Sequence, residues 1–499
     1  MILAWWQNLP LFLILCPLMC GVACSALHGK AARCAAAVMT AAESAGMAML
    51  LWFTASGNVT FTYAMGEIGA PFGNELRAGS VEALMGLAFS LVLMLSLIGG
   101  NCSLIEDVEP NRMNLFGTMI GLLTAAMAAI VFTNDLFTAY VFIEITTLSA
   151  CSLIGVTNRG KALFSSARYM VMNLLGSGLF LLGLSILYTL TGHLLFPQLG
   201  ETVRGLTAQD RYSVPLYLSF LLMTMGLCIK SALYPFHTWL PDAYSNATAV
   251  SGALLSSLVS KLYIFLLIKV NLRAAGEEVF IQRIRDVLFL YAAAGTVLGS
   301  VHALRQRKLS RVLAYSSVAQ LACLYLGIAL GSREGIAATL FYILPHSAVK
   351  SMLFLTAHKL RMASGGADGL EPLRGATNLS PLAGLAFLLG ASSLVGIPGL
   401  GGFAAKLYLA QAAVSAGGWK MPVLLGLLAL STALNVVYML RTALILYSRE
   451  KPHGEAGQPK TRDSLFAAAM VVMIGLNIFL GVCGQSVLEL IYCGMALFS

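Results

Sequence analysis

Apolar runs of about twenty residues follow one another along almost the whole chain, and each is long enough to cross a bilayer core as a helix. They fall at 8–28, 31–55, 79–102, 113–132, 134–157, 162–192, 214–238, 243–272, 284–303, 308–331, 335–362, 380–416, 421–448 and 464–495. In lipid, every backbone polar group needs an internal partner, which leaves helices or closed barrels. Barrel strands would read as segments of roughly ten residues with alternating polarity. These runs are continuous and rich in Leu, Ala, Gly and Met, so the expected fold is an all-α polytopic membrane protein of about fourteen transmembrane helices. The composition agrees, with 58% hydrophobic and 11% charged residues, where soluble domains carry about 25% charged. No basic segment precedes the first run, so that run reads as a retained helix and not a cleaved signal.

The net charge of +9 does not point to nucleic acid, because the Lys and Arg residues sit between apolar runs. With the N-terminus outside, roughly 18 of them fall in inner loops and roughly 8 in outer loops, the bias expected of a cytoplasmic membrane. Both termini are then outside. Glu106, Asp107 and Glu109 run against the trend, but acidic residues weigh little in this rule. The polar, basic stretch 449–463 reads as a cytoplasmic loop. The ten cysteines form no C-x-x-C pair and no metal-ligand spacing. Cys16, Cys20 and Cys24 read as a small-residue packing stripe on the first helix.

An internal repeat organises the chain. Glu144 precedes Lys230 by the same interval that separates Gln320 from Lys406, and Gly226 and Gly402 each lie four residues before their lysine. The offset superposes helices 4–8 on helices 9–13. Five helices is an odd number, so the second copy enters the membrane from the opposite side. The expected organisation is an N-terminal unit at 1–112, inverted repeats at 113–272 and 273–448, and a loop with the last helix at 449–499. Helices 7 and 12 are interrupted, the first by Lys230-Ser-Ala-Leu-Tyr-Pro-Phe-His-Thr-Trp-Leu-Pro241 and the second by Gly396-Ile-Pro-Gly-Leu-Gly-Gly402. Paired Pro/Gly-broken helices in inverted halves point to an ion pathway.

Several ionisable residues lie inside the apolar runs: Glu144, Lys230, Lys261, His346, Lys350 and Lys406. His237 sits at the end of helix 7 and His358 near the end of helix 11. Each charge costs about 2.5–3.5 kcal/mol on insertion scales, so the set would cost on the order of 10 kcal/mol or more unpaired. Such a set suits proton storage and transfer. Desolvation favours the neutral amine and a nearby carboxylate favours the ammonium, so a Glu144–Lys230 pair would act as a switch. His346 and Lys350 share a helix face by their spacing. Ser256, Ser257, Ser260, Ser316 and Ser317 are candidates to hold water between charges. Lys269, near a helix end, reads as a structural or snorkelling side chain. Glu43 on helix 2 lies outside both repeats and reads as a contact with a neighbouring helix or subunit.

These residues resemble a known family. The stretches Asn134-Asp-Leu-Phe-Thr-Ala-Tyr-Val-Phe-Ile-Glu144, Lys230 through Ala243, Leu313-Ala-Tyr-Ser-Ser-Val-Ala-Gln320 and Gly396 through Lys406 look like the antiporter-like subunits of complex I. They look equally like the D-type subunits of Mrp Na⁺/H⁺ antiporters and the matching subunits of membrane-bound group 4 hydrogenases. The resemblance covers roughly residues 80–450. It implies a proton (or sodium) translocating path through Glu144, Lys230, Lys261, His346 and Lys406, to which the charge pattern adds His237 and Lys350 and the internal repeat adds Gln320. It also implies coupling to redox chemistry in other subunits: partner antiporter-like subunits and a hydrophilic arm carrying iron–sulfur clusters. Gln320 departs from relatives with histidine there; it cannot titrate, so that step would need water or His346.

The chain itself reads as a non-redox transport subunit of an NADH:quinone oxidoreductase-like or hydrogenase complex. It carries no cofactor, no metal and no catalytic residue of its own. The alternative is a self-sufficient cation/proton antiporter.

Overall fold

A computed structural model of the protein describes residues 5–65, 73–275, 279–366, 368–449 and 463–496. Among them, thirteen helices are long and apolar enough to cross a membrane. They are α1 (Leu9–Cys24), α2 (Gly29–Gly57), α3 (Ser80–Gly99), α4 (Met113–Phe132), α5 (Leu136–Gly155), α6 (Gly160–Thr191) and α7 (Ser213–Lys230). The series continues with α8 (Ala249–Ala275), α9 (Val279–Arg305), α10 (Leu309–Leu330), α11 (Arg333–Ala363), α13 (Lys420–Leu446) and α14 (Ser464–Val482). A fourteenth apolar element, α12, is made of two halves, Pro381–Val395 and Gly401–Ala416. The expected all-α bundle is thus present. Most of the 449–463 loop lies outside the described residues.

Local chemistry sets the ends. Asp135 accepts the Thr138 amide at 2.6 Å to start α5, Thr248 accepts that of Ser251 at 3.0 Å to start α8, and Ser332 accepts that of Gly335 at 3.1 Å to start α11. Each satisfies a donor that helical geometry leaves free. The first half of α12 stops at Gly396, whose φ of 98° is in the range that favours glycine.

The layering follows from what surrounds each helix. The hydrophobic spans of α8 and α11 are wholly enclosed by other helices, while those of α1, α13 and α14 are only a third buried. The peripheral helices expose Phe12, Trp52, Leu444 and Val482, as lipid-facing surfaces do. The bundle therefore has a double solvent, lipid outside and protein inside.

Four local features depart from the sequence reading. Helix 7 stops at Lys230 and not near 238; residues 231–239 form turns, with Ala232 at φ 60° and one 3₁₀ turn at Phe236–Trp239. The last helix continues as a second piece, Gly484–Ala496. A hairpin pairs Phe61–Ala64 with Glu75–Ala78, too short to show as alternation. Lastly, Cys16 is exposed and Cys24 buried, so the cysteines do not form one packing stripe. The close contact of α1 with α4 is instead Gly21 against Gly121, where an added Cβ would meet backbone.

Gly121→Leu is therefore expected to overpack this crossing at a cost of about 1–3 kcal/mol, read as a lower unfolding temperature. Cys16→Ala should leave that temperature unchanged; equal behaviour of the two variants would contradict the packing assignment.

Candidate functional site

The site is built from lysines whose needs the surrounding helices meet one by one. Lys230 is the last residue of α7 and is fully buried. Its ammonium donates to Thr147 Oγ1 at 2.8 Å and lies 3.8 Å from Glu144 Oε1. Glu144 and Thr147 are three apart on α5 and so share a face. Charge-assisted N–H···O bonds run at about 2.7–2.9 Å, so the pair is ionic but open. Glu144 is not fully interior: its side chain is 23% exposed against 0% for Lys230. The Tyr263 ring of α8 lies 5.5 Å from the Lys230 ammonium, and its hydroxyl lies 3.4 Å from Thr147 Oγ1.

Lys261, two residues before Tyr263, follows a π-helical turn at Leu255–Val259. That turn loosens the helix ladder, and the Ser256 carbonyl accepts from the Lys261 ammonium. Lys350 on α11 donates to the Leu313 carbonyl at 3.0 Å and to Ser316 Oγ at 2.5 Å. One turn away, His346 is enclosed, and among the described residues neither ring nitrogen is hydrogen-bonded. A further turn back, Tyr342 donates its hydroxyl to Gln320 Oε1, while Gln320 Nε2 has no partner among the described residues. Gln320, Tyr342, His346, Ser393 and Gly402 line a cavity of about 10 Å³, the space one water needs.

Lys406, on the second half of α12, turns back to the first. It donates to the Leu394 and Val395 carbonyls, each at 2.9 Å, and to Thr432 Oγ1 at 3.1 Å. These carbonyls end a helix and lack helical donors, so a cation there is favourable twice over. Among the described residues no carboxylate lies within ion-pair distance of Lys261, Lys350 or Lys406, which leaves Glu144 as the acid of this row.

The other candidate positions fall off the row. His237 stacks on Tyr234, with centroids 5.1 Å apart, and lies 6.2 Å from the His302 ring. His358 lies 3.9 Å from Asp107 and is contacted by Arg361 at 2.9 Å. The candidate serines are buried and mostly hydrogen-bonded within their own helices; the Ser316 hydroxyl and the Ser256 carbonyl also take a lysine ammonium. Glu43 is buried against α3 and α4 and is not presented to another subunit. Lys269 does not snorkel. It is fully buried and donates to the carbonyls of Ile130, Val131 and Thr133, capping the end of α4. Lys420 caps α10 in the same manner through Ala329 O at 2.8 Å, and also pairs with Asp286 at 2.6 Å. Among the described residues no three His, Cys, Asp or Glu side chains converge as a metal site.

Sequence reasoning passed over Thr147, Tyr263, Tyr342 and Thr432. Helix-face arithmetic reaches two of them, since Thr147 is three residues from Glu144 and Tyr342 four from His346. The other two meet the row only through tertiary packing.

Two variants separate caps from row. Lys269→Met should lower thermal stability by about 1–3 kcal/mol, the cost of unsatisfied buried acceptors, while ion transport per assembled complex persists. Thr147→Val removes a hydrogen bond to a charged group, about 1.5–3 kcal/mol, and should slow transport about tenfold or more with assembly intact. The reverse pattern, measured by ion flux in vesicles, would exchange the two roles.

Comparison with known proteins agrees with this architecture. Residues 133–432 match the model of the NADH:quinone oxidoreductase/Mrp antiporter transmembrane family. NADH-quinone oxidoreductase subunit N of Desulforudis audaxviator is 32% identical over 388 residues, 76% of each chain. The D-type Na⁺/H⁺ antiporter subunit of Bacillus subtilis is 26% identical, over 84% of this chain and 83% of its own. Among solved structures, a chain of the Mrp complex from Dietzia sp. DQ12-45-1b superposes with a TM-score of 0.86 at 23% identity, over 100% of this chain and 98% of its own. The chain belongs to the NADH:quinone oxidoreductase/Mrp antiporter family of antiporter-like membrane subunits.

Proposed function

We propose that this chain translocates protons as one membrane subunit of a multi-subunit energy-converting complex, whose other subunits perform the redox chemistry. The observation that carries this reading is the enclosed row itself. Lys230, Lys261, Lys350 and Lys406, with His346, lie at or below 9% exposure, and the partly exposed Glu144 stands 3.8 Å from the first of them. Bilayer proteins keep intramembrane charges where they line ion paths or relays. The names of the relatives support the subunit reading, since each is called a subunit of a larger assembly.

In the proposed cycle the open Glu144–Lys230 pair is the switch. When the pair closes, Lys230 holds its proton; when it opens, the desolvated ammonium gives the proton up. Tyr263, through Thr147, leads from this pair toward the helix that carries Lys261. His346, one helix turn from Lys350, shares a cavity with Gln320. A water there would stand in for the titratable group that Gln320 lacks. We read residues 113–272 and 273–448 as inverted repeats around this row. The membrane is read as the prokaryotic cytoplasmic membrane, with both termini outside and a hydrophilic arm on the inner side. Protons are the proposed cargo, with Na⁺ as the outcome the test must exclude.

Glu144→Gln should abolish coupled proton uptake in vesicles carrying the purified complex, with subunit composition unchanged. Uptake at the wild-type rate would remove the switch. Pro235→Ala, in the turn after α7, should impair transport more than abundance; a loss confined to expression would make that turn structural.

A further inference from the structure

Glu43 lies outside the row and outside the matched family segment. It is 4% exposed, in the middle of α2, and its Oε1 has no hydrogen-bond partner among the described residues. It faces a cavity of about 10 Å³, walled by Met47 of its own helix, Phe89 and Ser90 of α3, and Thr124 and Met127 of α4. None of these side chains is charged, and no ion pair reaches Glu43 among the described residues.

Two observations fix what the cavity accepts. The Ser90 hydroxyl donates to the Leu87 carbonyl at 3.2 Å and that of Thr124 to the Ile120 carbonyl at 2.7 Å. Both hydroxyl protons are spent on their own helices, so both oxygens offer lone pairs to the cavity. A carboxylate there would add an acceptor to acceptors, and an unpaired charge in a medium that cannot solvate it. A protonated carboxyl supplies the missing donor and removes the charge. The space suits one water, and three oxygen-bearing side chains fall short of the six or more oxygens a hard divalent cation takes.

We propose that Glu43, with the hydroxyls of Ser90 and Thr124, is a proton-binding site separate from the lysine row, held as a neutral carboxylic acid that donates its hydrogen bond across a cavity the size of one water. The site belongs to the N-terminal helices and needs neither Lys230 nor the broken helices. It stands whether or not the row itself carries protons.

Infrared difference spectroscopy on the purified, intact complex at neutral pH tests this. The wild type is expected to show a protonated-carboxyl C=O stretch that shifts in D₂O and is lost in Glu43→Gln, which keeps the size and neutrality of the acid and should assemble normally. Thr124→Val and Ser90→Ala, which remove the acceptors, should move that band without abolishing it, and they carry the test if Glu43→Gln assembles poorly. Spectra unchanged in Glu43→Gln, or a band unmoved in both acceptor variants, would overturn the proposal. So would a band that disappears on adding Na⁺, which would make the carboxylate a sodium site.

Discussion

An ammonium group buried in a helix bundle needs oxygen atoms, and a regular helix has few to spare. Its carbonyls are already paired along the ladder, and only helix ends or disrupted turns leave some open. This shortage explains where the interruptions fall. The π turn at Leu255–Val259 adjoins Lys261 and its Ser256 partner, and the break at Gly396 exposes the Leu394 and Val395 carbonyls to Lys406. The ends of α4 and α10 serve Lys269 and Lys420. Lys230 takes the Thr147 hydroxyl, and Lys350 takes the Ser316 hydroxyl together with the Leu313 carbonyl. The broken helices and the buried lysines are two sides of one requirement.

The same requirement separates two kinds of buried lysine. Lys269 and Lys420 cap the ends of α4 and α10, and the partners that hold them are helix-end carbonyls and, for Lys420, Asp286. The row through α7, α8, α11 and α12 runs through the enclosed heart of the bundle, where α8 and α11 touch no lipid. There the compensation is thinner for three of the four lysines: Lys230 has one hydroxyl and one loose carboxylate, Lys261 one carbonyl, and Lys350 one carbonyl and one hydroxyl, while among the described residues both His346 nitrogens are unpaired; Lys406, with two carbonyls and a hydroxyl, is the best held of the row. Sparse compensation makes an ammonium easy to neutralise, which a proton relay needs and a structural cap does not.

Much of this was legible in the sequence, for reasons particular to each feature. The helices follow from apolar length, and the row from the cost of charge within it, so Glu144, Lys230, Lys261, His346, Lys350 and Lys406 stood out against their neighbours. The breaks followed from Pro and Gly at 235, 396, 398 and 399. What could not be read was whatever depends on which helix faces which. Lys269 and Lys261 look alike in sequence, eight residues apart on one helix, yet one caps α4 and the other faces the row. The end of α7 at Lys230 was overrun because residues 231–239 contain Leu, Phe and Trp and no Asp, Glu, Lys or Arg to mark a helix end. Glu43 was visible as an intramembrane acid, but its lack of any counter-charge is a property of the three packed helices around it.

Proton uptake by vesicles carrying the purified complex, compared between wild type and Lys230→Ala at equal assembly, tests the central claim most directly. The account predicts that the pH change collapses in the variant while electron transfer in the partner subunits slows or uncouples. An unchanged pH signal would mean that the row is structural scaffolding and that the transported ion takes another path.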